Sequence, residues 1–146
     1  MRVLVVDDHP VFLGALKSIL EAYFDDFAID GKNSLEEALS VSFSDFDLVI
    51  VDLSFRGKDI TRDVCGLIEA NLGTKFLVLT NFEDGRHVRM IADTHARGYL
   101  PKSTPAEILT SVVQLVSLKV NLGTTQSFGH ARREIQRAWA SYVVRP

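Results

Sequence analysis

Carboxylates follow two of the apolar runs in this 146-residue sequence. Asp7 and Asp8 come directly after the run at 2–6, and Asp52 comes directly after the run at 47–51. Two adjacent like charges need a cation, a shared proton or full solvation. Clustered carboxylates suit Mg²⁺, which takes oxygen ligands at about 2.1 Å and keeps several of its waters. These residue types therefore indicate a divalent-metal site, if the fold brings the two segments together.

A hydroxyl and an amine follow two further apolar runs. Thr80 ends the run at 75–80, and Lys102 follows the run at 98–101. Hydroxyl and ammonium groups both bind phosphate, and a carboxylate can itself be the nucleophile that forms an aspartyl phosphate. Taken singly, each residue could be a helix cap, a loop residue or a solvated charge. Taken together, they favour phosphoryl transfer at a magnesium site.

The elements that must position these side chains alternate along the chain. Strand-like runs at 2–6, 27–31, 47–51, 75–80 and 98–101 alternate with five helical patterns, the last of which extends to about residue 118. Two helix starts carry capping boxes, Ser34 with Glu37 and Thr104 with Glu107. Strands alternating with helices predict a parallel sheet covered on both faces. In such sheets, ligand groups gather at the carboxyl ends of the strands, so the residues above should converge.

Composition excludes several classes of protein. No apolar run approaches the roughly 20 residues of a membrane span, and the apolar stretch at the start is too short for a secretory signal. We therefore expect a cytoplasmic protein with no membrane partner. Residues 1–118 carry 11 Lys and Arg against 18 Asp and Glu, whereas residues 119–146 carry 5 against 1. An acidic body gives no support to nucleic-acid binding by that part of the chain.

Four motifs together resemble a known family. They are "VLVVDDHPVFLGAL", "DLVIVDLS", "FLVLTNFED" and "ARGYLPKSTPAEIL", and they span about residues 1–118. The sequence resembles the response-regulator receiver domain of two-component signalling, and "DDHP" and "ARGYLPK" resemble the branch that usually carries a helix-turn-helix DNA-binding domain. The resemblance implies a flavodoxin-like, doubly wound, five-stranded parallel sheet in the order 2-1-3-4-5, with helices on both faces.

The resemblance also implies roles for individual residues. Asp52 would be the phosphoacceptor, which receives its phosphoryl group from a sensor histidine kinase. Asp7, Asp8 and Asp52 would hold Mg²⁺, with the backbone carbonyl of Ser54 completing the protein ligands. Lys102 would pair with a phosphate oxygen.

Two further residues would form the switch implied by the resemblance. The Thr80 hydroxyl would move to meet the phosphate after transfer. Tyr99, three residues before Lys102, would rotate inward when Thr80 moves. Phosphorylation adds about −1.5 to −2 charges, which would bias the loop after Thr80, the fourth helix and the strand that carries Tyr99.

The loops next to these residues depart from the family pattern. Phe55 and Arg56 stand where the family usually has Met-Pro, and Ile60 stands where it usually has Gly. Asn81 stands where it usually has a small residue. Without Pro the first loop is less rigid, and a larger Asn81 narrows access to Asp52. We expect an altered rate of dephosphorylation.

The basic segment 119–146 is predicted to be a linker followed by an amphipathic helix. Its apolar residues recur at helical spacing from Phe128 to Tyr142, with arginines on the other face. The apolar stripe could pack on the same chain or on a second copy, or it could dock on a separate protein. Nucleic-acid binding is the weakest of these alternatives, because one short helix rarely suffices.

Four functions remain open at this point. The leading one is a receiver that acts as a phosphorylation-dependent switch through an unknown output protein or a homodimer. It would be no enzyme beyond gaining and losing its own phosphoryl group. The others are a degenerate receiver used for interaction only, a transcription regulator without its DNA-binding part, and a Mg²⁺-dependent phosphohydrolase. The last would need a second acid two residues after the nucleophile, where Ser54 stands.

Overall fold

The structure is a computed structural model that describes residues 1–82 and 84–117, together with the backbone of a short strand at 143–144. Its strands are β1 (Arg2–Val6), β2 (Ala28–Lys32), β3 (Leu48–Val51), β4 (Ser54–Phe55), β5 (Lys58–Asp59), β6 (Phe76–Thr80), β7 (Gly98–Pro101) and β8 (Val143–Val144). Its helices are α1 (Pro10–Tyr23), α2 (Leu35–Leu39), α3 (Thr61–Ala70), α4 (Gly85–Ala92) and α5 (Ala106–Ser117). None of the described helices is long and apolar enough to cross a bilayer.

The main sheet has the order β2-β1-β3-β6-β7-β8. The first five of these strands are parallel, with Val6 beside Val51 and Val51 beside Val78. This confirms the predicted doubly wound sheet, whose order 2-1-3-4-5 corresponds to β2-β1-β3-β6-β7. Because β1 and β3 are neighbours, the residues that follow them meet at one edge of the sheet.

The two faces of the sheet are buried in separate apolar clusters. On β1, Val3 and Val5 pack with side chains from α1 and α5, whereas Leu4 and Val6 pack with side chains from α2, α3 and α4. Successive side chains of a strand point to opposite faces, so a continuous apolar run is what a strand covered on both sides requires. The prediction of helices on both faces is confirmed.

The two predicted capping boxes have different outcomes. Ser34 accepts a hydrogen bond from the Glu37 N–H at 3.1 Å, and the Glu37 carboxylate accepts one from the Asn33 N–H, so α2 begins as predicted. The prediction of a capping box at Thr104 is wrong. The Thr104 hydroxyl donates to the Pro101 carbonyl at 2.6 Å, and α5 begins at Ala106. The hydroxyl is bonded to the preceding turn and does not cap α5.

Two pairings were not predicted from the sequence. The loop after Asp52 folds into an antiparallel hairpin of β4 and β5, closed by Arg56 at φ 50° and Gly57 at φ 72°. Positive φ at both central residues is the signature of a type I′ turn, the turn that matches strand twist. In addition, β8 pairs antiparallel with β7, Val143 beside Tyr99.

The predictions for the basic segment fall almost wholly outside the described residues. The linker and the amphipathic helix expected from Phe128 to Tyr142 lie there, and β8 begins directly after them. The boundary between a receiver at 1–118 and a separate segment at 119–146 therefore stays a prediction.

Candidate functional site

The carboxylates predicted to converge do so at the carboxyl edge of the sheet. The Asp7 N–H donates to the Lys32 carbonyl and the Asp52 N–H to the Val6 carbonyl, which fixes both residues just beyond their strands. Asp7 and Asp52 are each only 2% exposed. Potential ligand atoms of Asp7, Asp8, His9 and Asp52 all lie within 4.8 Å of one another. Residues far apart in the sequence therefore form one acidic pocket.

Lys102 joins the two buried carboxylates. Its Nζ lies 2.6 Å from Asp7 Oδ2 and 2.7 Å from Asp52 Oδ2, and its side chain is 6% exposed. The Lys102 N–H donates to the Thr80 carbonyl at 2.9 Å, and the Nζ sits 4.6 Å from the centre of the Phe12 ring. The predicted placement of this lysine beside the carboxylates is thus what the structure shows.

The charges of the pocket fit a divalent cation. Three carboxylates face one ammonium group, so ionised acids leave an excess of negative charge in a largely buried site. Burying an uncompensated charge is costly, and carboxylate oxygens are the ligands that Mg²⁺ prefers. Asp7, Asp8 and Asp52 are therefore able to hold Mg²⁺.

The hairpin after Asp52 closes one side of the pocket. The Arg56 N–H donates to Asp8 Oδ2 at 2.6 Å, and the Leu53 N–H donates to Asp52 Oδ1 at 2.6 Å. Ser54, the predicted carbonyl ligand, opens β4 opposite Asp59. The loop whose sequence departs from the family pattern thus forms a hairpin, and Gly57 takes one of its two positive-φ positions.

His9 belongs to the pocket as well as to the start of α1. It does occupy the N-cap of α1, without a side-chain capping bond. Its Nδ1 also lies 3.0 Å from Asp7 Oδ1 and 3.1 Å from Asp8 Oδ1. Its position directly after two acids is the only sequence feature that indicated this contact.

The two predicted switch residues are buried near the pocket. Thr80 ends β6 fully buried, and its hydroxyl accepts a hydrogen bond from the Phe82 N–H at 3.3 Å. Tyr99 is 3% exposed and pairs with Val78 across β6 and β7. Asn81, beside Thr80, is exposed. Thr80 therefore ends β6 at the same edge as the pocket, while the movements predicted for Thr80 and Tyr99 stay predictions.

Comparison with known proteins agrees with this fold and pocket. The sequence model for the response regulator receiver domain matches residues 3–114. The chain therefore belongs to the response-regulator receiver family of two-component systems. Receiver domains generally bind Mg²⁺ at an acidic pocket and interact with sensor histidine kinases, and this chain has such a pocket.

Curated relatives include several bacterial regulatory proteins. The chain is 29% identical over 121 residues to the oxygen regulatory protein NreC of Staphylococcus carnosus, covering 80% of this chain and 54% of that protein. It is 29% identical over 124 residues to the transcriptional regulatory protein LiaR of Bacillus subtilis, covering 80% and 56%. The chain thus spans about half the length of the curated relatives it matches.

Solved structures share the fold. A two-component response regulator from Clostridium difficile superposes with a TM-score of 0.72 at 22% identity, covering 83% of this chain and 98% of that one. A LuxR family DNA-binding response regulator from Silicibacter pomeroyi gives 0.69 at 23% identity, covering 80% and 91%.

Proposed function

We propose that this receiver is a phosphorylation-dependent switch whose phosphoacceptor is Asp52. The observation that carries the proposal is the position of Asp52, buried at the end of β3 with Lys102 and two other carboxylates within reach. A carboxylate held in this way can attack phosphorus, and phosphoryl transfer requires chiefly positioning and charge neutralisation.

The transfer would proceed from a phosphohistidine of a sensor kinase. An oxygen of Asp52 attacks the phosphorus, the new P–O bond forms as the P–N bond breaks, and the imidazole leaves with the electron pair and takes up a proton. Lys102, which contacts Asp52 Oδ2, then pairs with an oxygen of the transferred group. Bound Mg²⁺ would supply the positive charge that the developing transition state needs.

The output would follow from the change of charge beside Thr80. The Thr80 hydroxyl, which accepts only the Phe82 N–H among its described hydrogen bonds, would turn toward the phosphoryl group. Tyr99 would then move with β7. The partner would be an output protein or a second copy of the chain. The name of the relative LiaR, a transcriptional regulatory protein, suggests control of transcription, with any DNA contact made by parts that lie outside the matched region.

An interaction-only receiver is the second candidate. It is favoured by the hairpin, because Arg56 already donates to an oxygen of Asp8 and Lys102 already joins Asp7 to Asp52. These contacts occupy one oxygen of each carboxylate without a metal or a phosphoryl group. Such a protein would keep one conformation and signal by association alone.

One experiment separates the two candidates. The full chain is incubated with acetyl phosphate or phosphoramidate and Mg²⁺, and its intact mass is measured. We expect a gain of one phosphoryl group in the wild type and in the control Asp45→Asn, an exposed acid outside the pocket, and no gain in Asp52→Asn. No gain in the folded wild type would leave the interaction-only receiver. Continuous turnover of a phosphate ester would instead favour a phosphohydrolase.

A further inference from the structure

A histidine on α4 lies between two carboxylates from different elements. His87 is 6% exposed. Its Nε2 lies 3.0 Å from Asp59 Oδ2 on β5, and its Nδ1 lies against Asp84 Oδ2 at the N-cap of α4. A ring that carries N–H on both nitrogens donates to both carboxylates. The histidine therefore connects the hairpin after Asp52 to the first turn of α4.

Each of the two acids also accepts backbone hydrogen bonds at the start of a helix. Asp59 Oδ1 accepts the Thr61 N–H at 2.9 Å, at the start of α3. Asp84 Oδ1 accepts the N–H groups of Arg86 and His87. The pKa of Asp59 is lowered to about 2, chiefly by the Thr61 side chain and backbone N–H and further by His87. The two carboxylates are thus ionised and fixed in position, and the His87 imidazole lies between them.

The hairpin connects this histidine to the acidic pocket. At its turn, the Arg56 N–H donates to Asp8 Oδ2, and at its last residue, Asp59 contacts His87. Only two residues separate Arg56 from Asp59. A change in the position of Asp8 therefore acts on the same short hairpin that holds His87.

A second set of contacts reaches the same histidine from Thr80. The Phe82 N–H donates to the Thr80 hydroxyl, and the Phe82 ring stacks on the His87 ring with centroids 4.3 Å apart at 13°. If the Thr80 hydroxyl turns away, as the proposed function requires, Phe82 loses that partner. Contacts that start at Asp8 and contacts that start at Thr80 thus both reach His87.

We propose that His87 is a positioning residue that fastens α4 to the hairpin after Asp52, so that changes in the acidic pocket reach α4 through the hairpin as well as through Thr80. The fastening itself is a property of the unphosphorylated fold. Its use as a relay rests on the proposed function, because that function supplies the change in the pocket. Two sites are coupled in this way when both shift the equilibrium of one structural element. Here the sites are the acidic pocket and α4, and the element is the hairpin of β4 and β5.

The fastening is tested by hydrogen exchange of the full chain without any ligand. In His87→Asn the shorter amide matches only the Nδ1 position and loses Asp59, whereas in His87→Gln the longer amide reaches the Nε2 position. We expect amides of the hairpin to exchange roughly tenfold faster in His87→Asn and near the wild-type rate in His87→Gln. The matched control is His95→Ala, which removes an exposed His–carboxylate pair with Glu69 and should leave the hairpin unchanged.

Two results of that experiment overturn the proposal. One is hairpin exchange in His87→Asn equal to wild type. The other is an equal acceleration at the amides of β1 and β3, because general destabilisation would then explain the effect. In a double variant with Asp59→Asn the effects on hairpin exchange should be less than additive, since both changes break the His87–Asp59 contact.

The relay is tested by adding Mg²⁺ and beryllofluoride to the same proteins. We expect exchange to change at both the hairpin and α4 in the wild type and in His87→Gln. In His87→Asn the α4 change should fall to less than about a third of its wild-type size while the hairpin change persists. An α4 response equal to wild type in His87→Asn, or no α4 response in the wild type, overturns the proposal. Failure of Asp52 to gain a phosphoryl group, with both exchange results intact, overturns only the proposed function.

Discussion

Lys102 is the residue on which the electrostatics of the pocket depend. It is the described cation closest to both Asp7 and Asp52, at 2.6 and 2.7 Å, and all three side chains are nearly inaccessible. Removing one partner of a buried ion pair strongly destabilises the folded protein, because the other charge stays buried without compensation. The same lysine therefore has a structural task before any phosphoryl group arrives.

Replacing this lysine should destabilise the chain unless metal is supplied. For Lys102→Met we expect the free energy of unfolding to fall by about 3 kcal/mol at neutral pH without divalent metal, with Mg²⁺ restoring much of it. Urea denaturation with and without Mg²⁺ measures both effects. The control Lys17→Met removes an exposed contact with Glu21 at 3.7 Å and should change stability by less than about 0.5 kcal/mol. Equal losses in the two variants would contradict this account.

Asp59 should make stability depend on pH in the acid range. Its pKa is lowered to about 2 in the folded chain, so its stabilising contribution is present above the unfolded value near 3.9 and is lost as pH falls from there toward 2. Asp59→Asn should therefore be less stable than wild type at pH 7, with a smaller difference at pH 3, as measured by urea midpoints. The exposed Asp25→Asn serves as control. A difference that grows on acidification would contradict the assignment.

The sequence predicted some residues of the site and missed others for a physical reason. Asp7, Asp52 and Lys102 each follow a strand, and parallel strands bring their carboxyl ends together. Their convergence follows from the order of elements alone. His87 follows no strand, and its partner Asp59 lies on a hairpin that was not predicted. Its role depends on the packing of α4, which periodicity does not specify.

At the scale of elements, the hairpin of β4 and β5 is the least expected part of the structure. Each strand has only two residues, too short for the alternation that identifies a strand in sequence. Arg56 and Gly57 close it with positive φ, a conformation that glycine adopts freely and arginine does not. Contacts with Asp8 and His87 stabilise a turn that the local sequence alone favours weakly.

Two glycine substitutions should have opposite effects on stability. Gly57→Ala places a side chain at φ 72° and should cost about 1 kcal/mol. Gly66→Ala lies within α3 with open space around it and should stabilise the chain by about 0.5–1 kcal/mol, since alanine is the better helix former. Thermal or urea unfolding measures both. A stabilising Gly57→Ala would mean that the hairpin turn is not formed in solution.

Over the whole molecule, the core of the described residues lies between β1 and α5. The buried apolar residues extend from Val3 to Val116 and fill both faces of the sheet. The order of strands and the two-faced core were predictable because β1, β3 and β6 contain continuous apolar runs, whereas β2, with Asp30 and Lys32, is a weaker pattern. The pairing of β8 with β7 was not, since two valines near the end of a basic segment resemble no strand in isolation.

Removing the segment 119–146 should leave a folded domain with an uncovered sheet edge. We expect hydrogen exchange to rise at Gly98 and Tyr99, which pair with β8, and to stay unchanged in β1, whose neighbours remain. Light scattering on the truncated and full chains shows in addition whether the segment supports a dimer. Unchanged exchange at β7 would exclude packing of the segment on the same chain. An unchanged number of chains per particle would exclude dimerisation through the segment.

In the proposed switch Asp52 carries the phosphoryl group, and trapping the acyl phosphate identifies the residue that carries it. The chain is treated with acetyl phosphate and Mg²⁺, reduced with borohydride, which converts an aspartyl phosphate to homoserine, and mapped by peptide mass spectrometry. We expect homoserine at position 52 and unmodified aspartate at positions 7 and 8. Homoserine at either of those positions, or none in a folded chain, would contradict it.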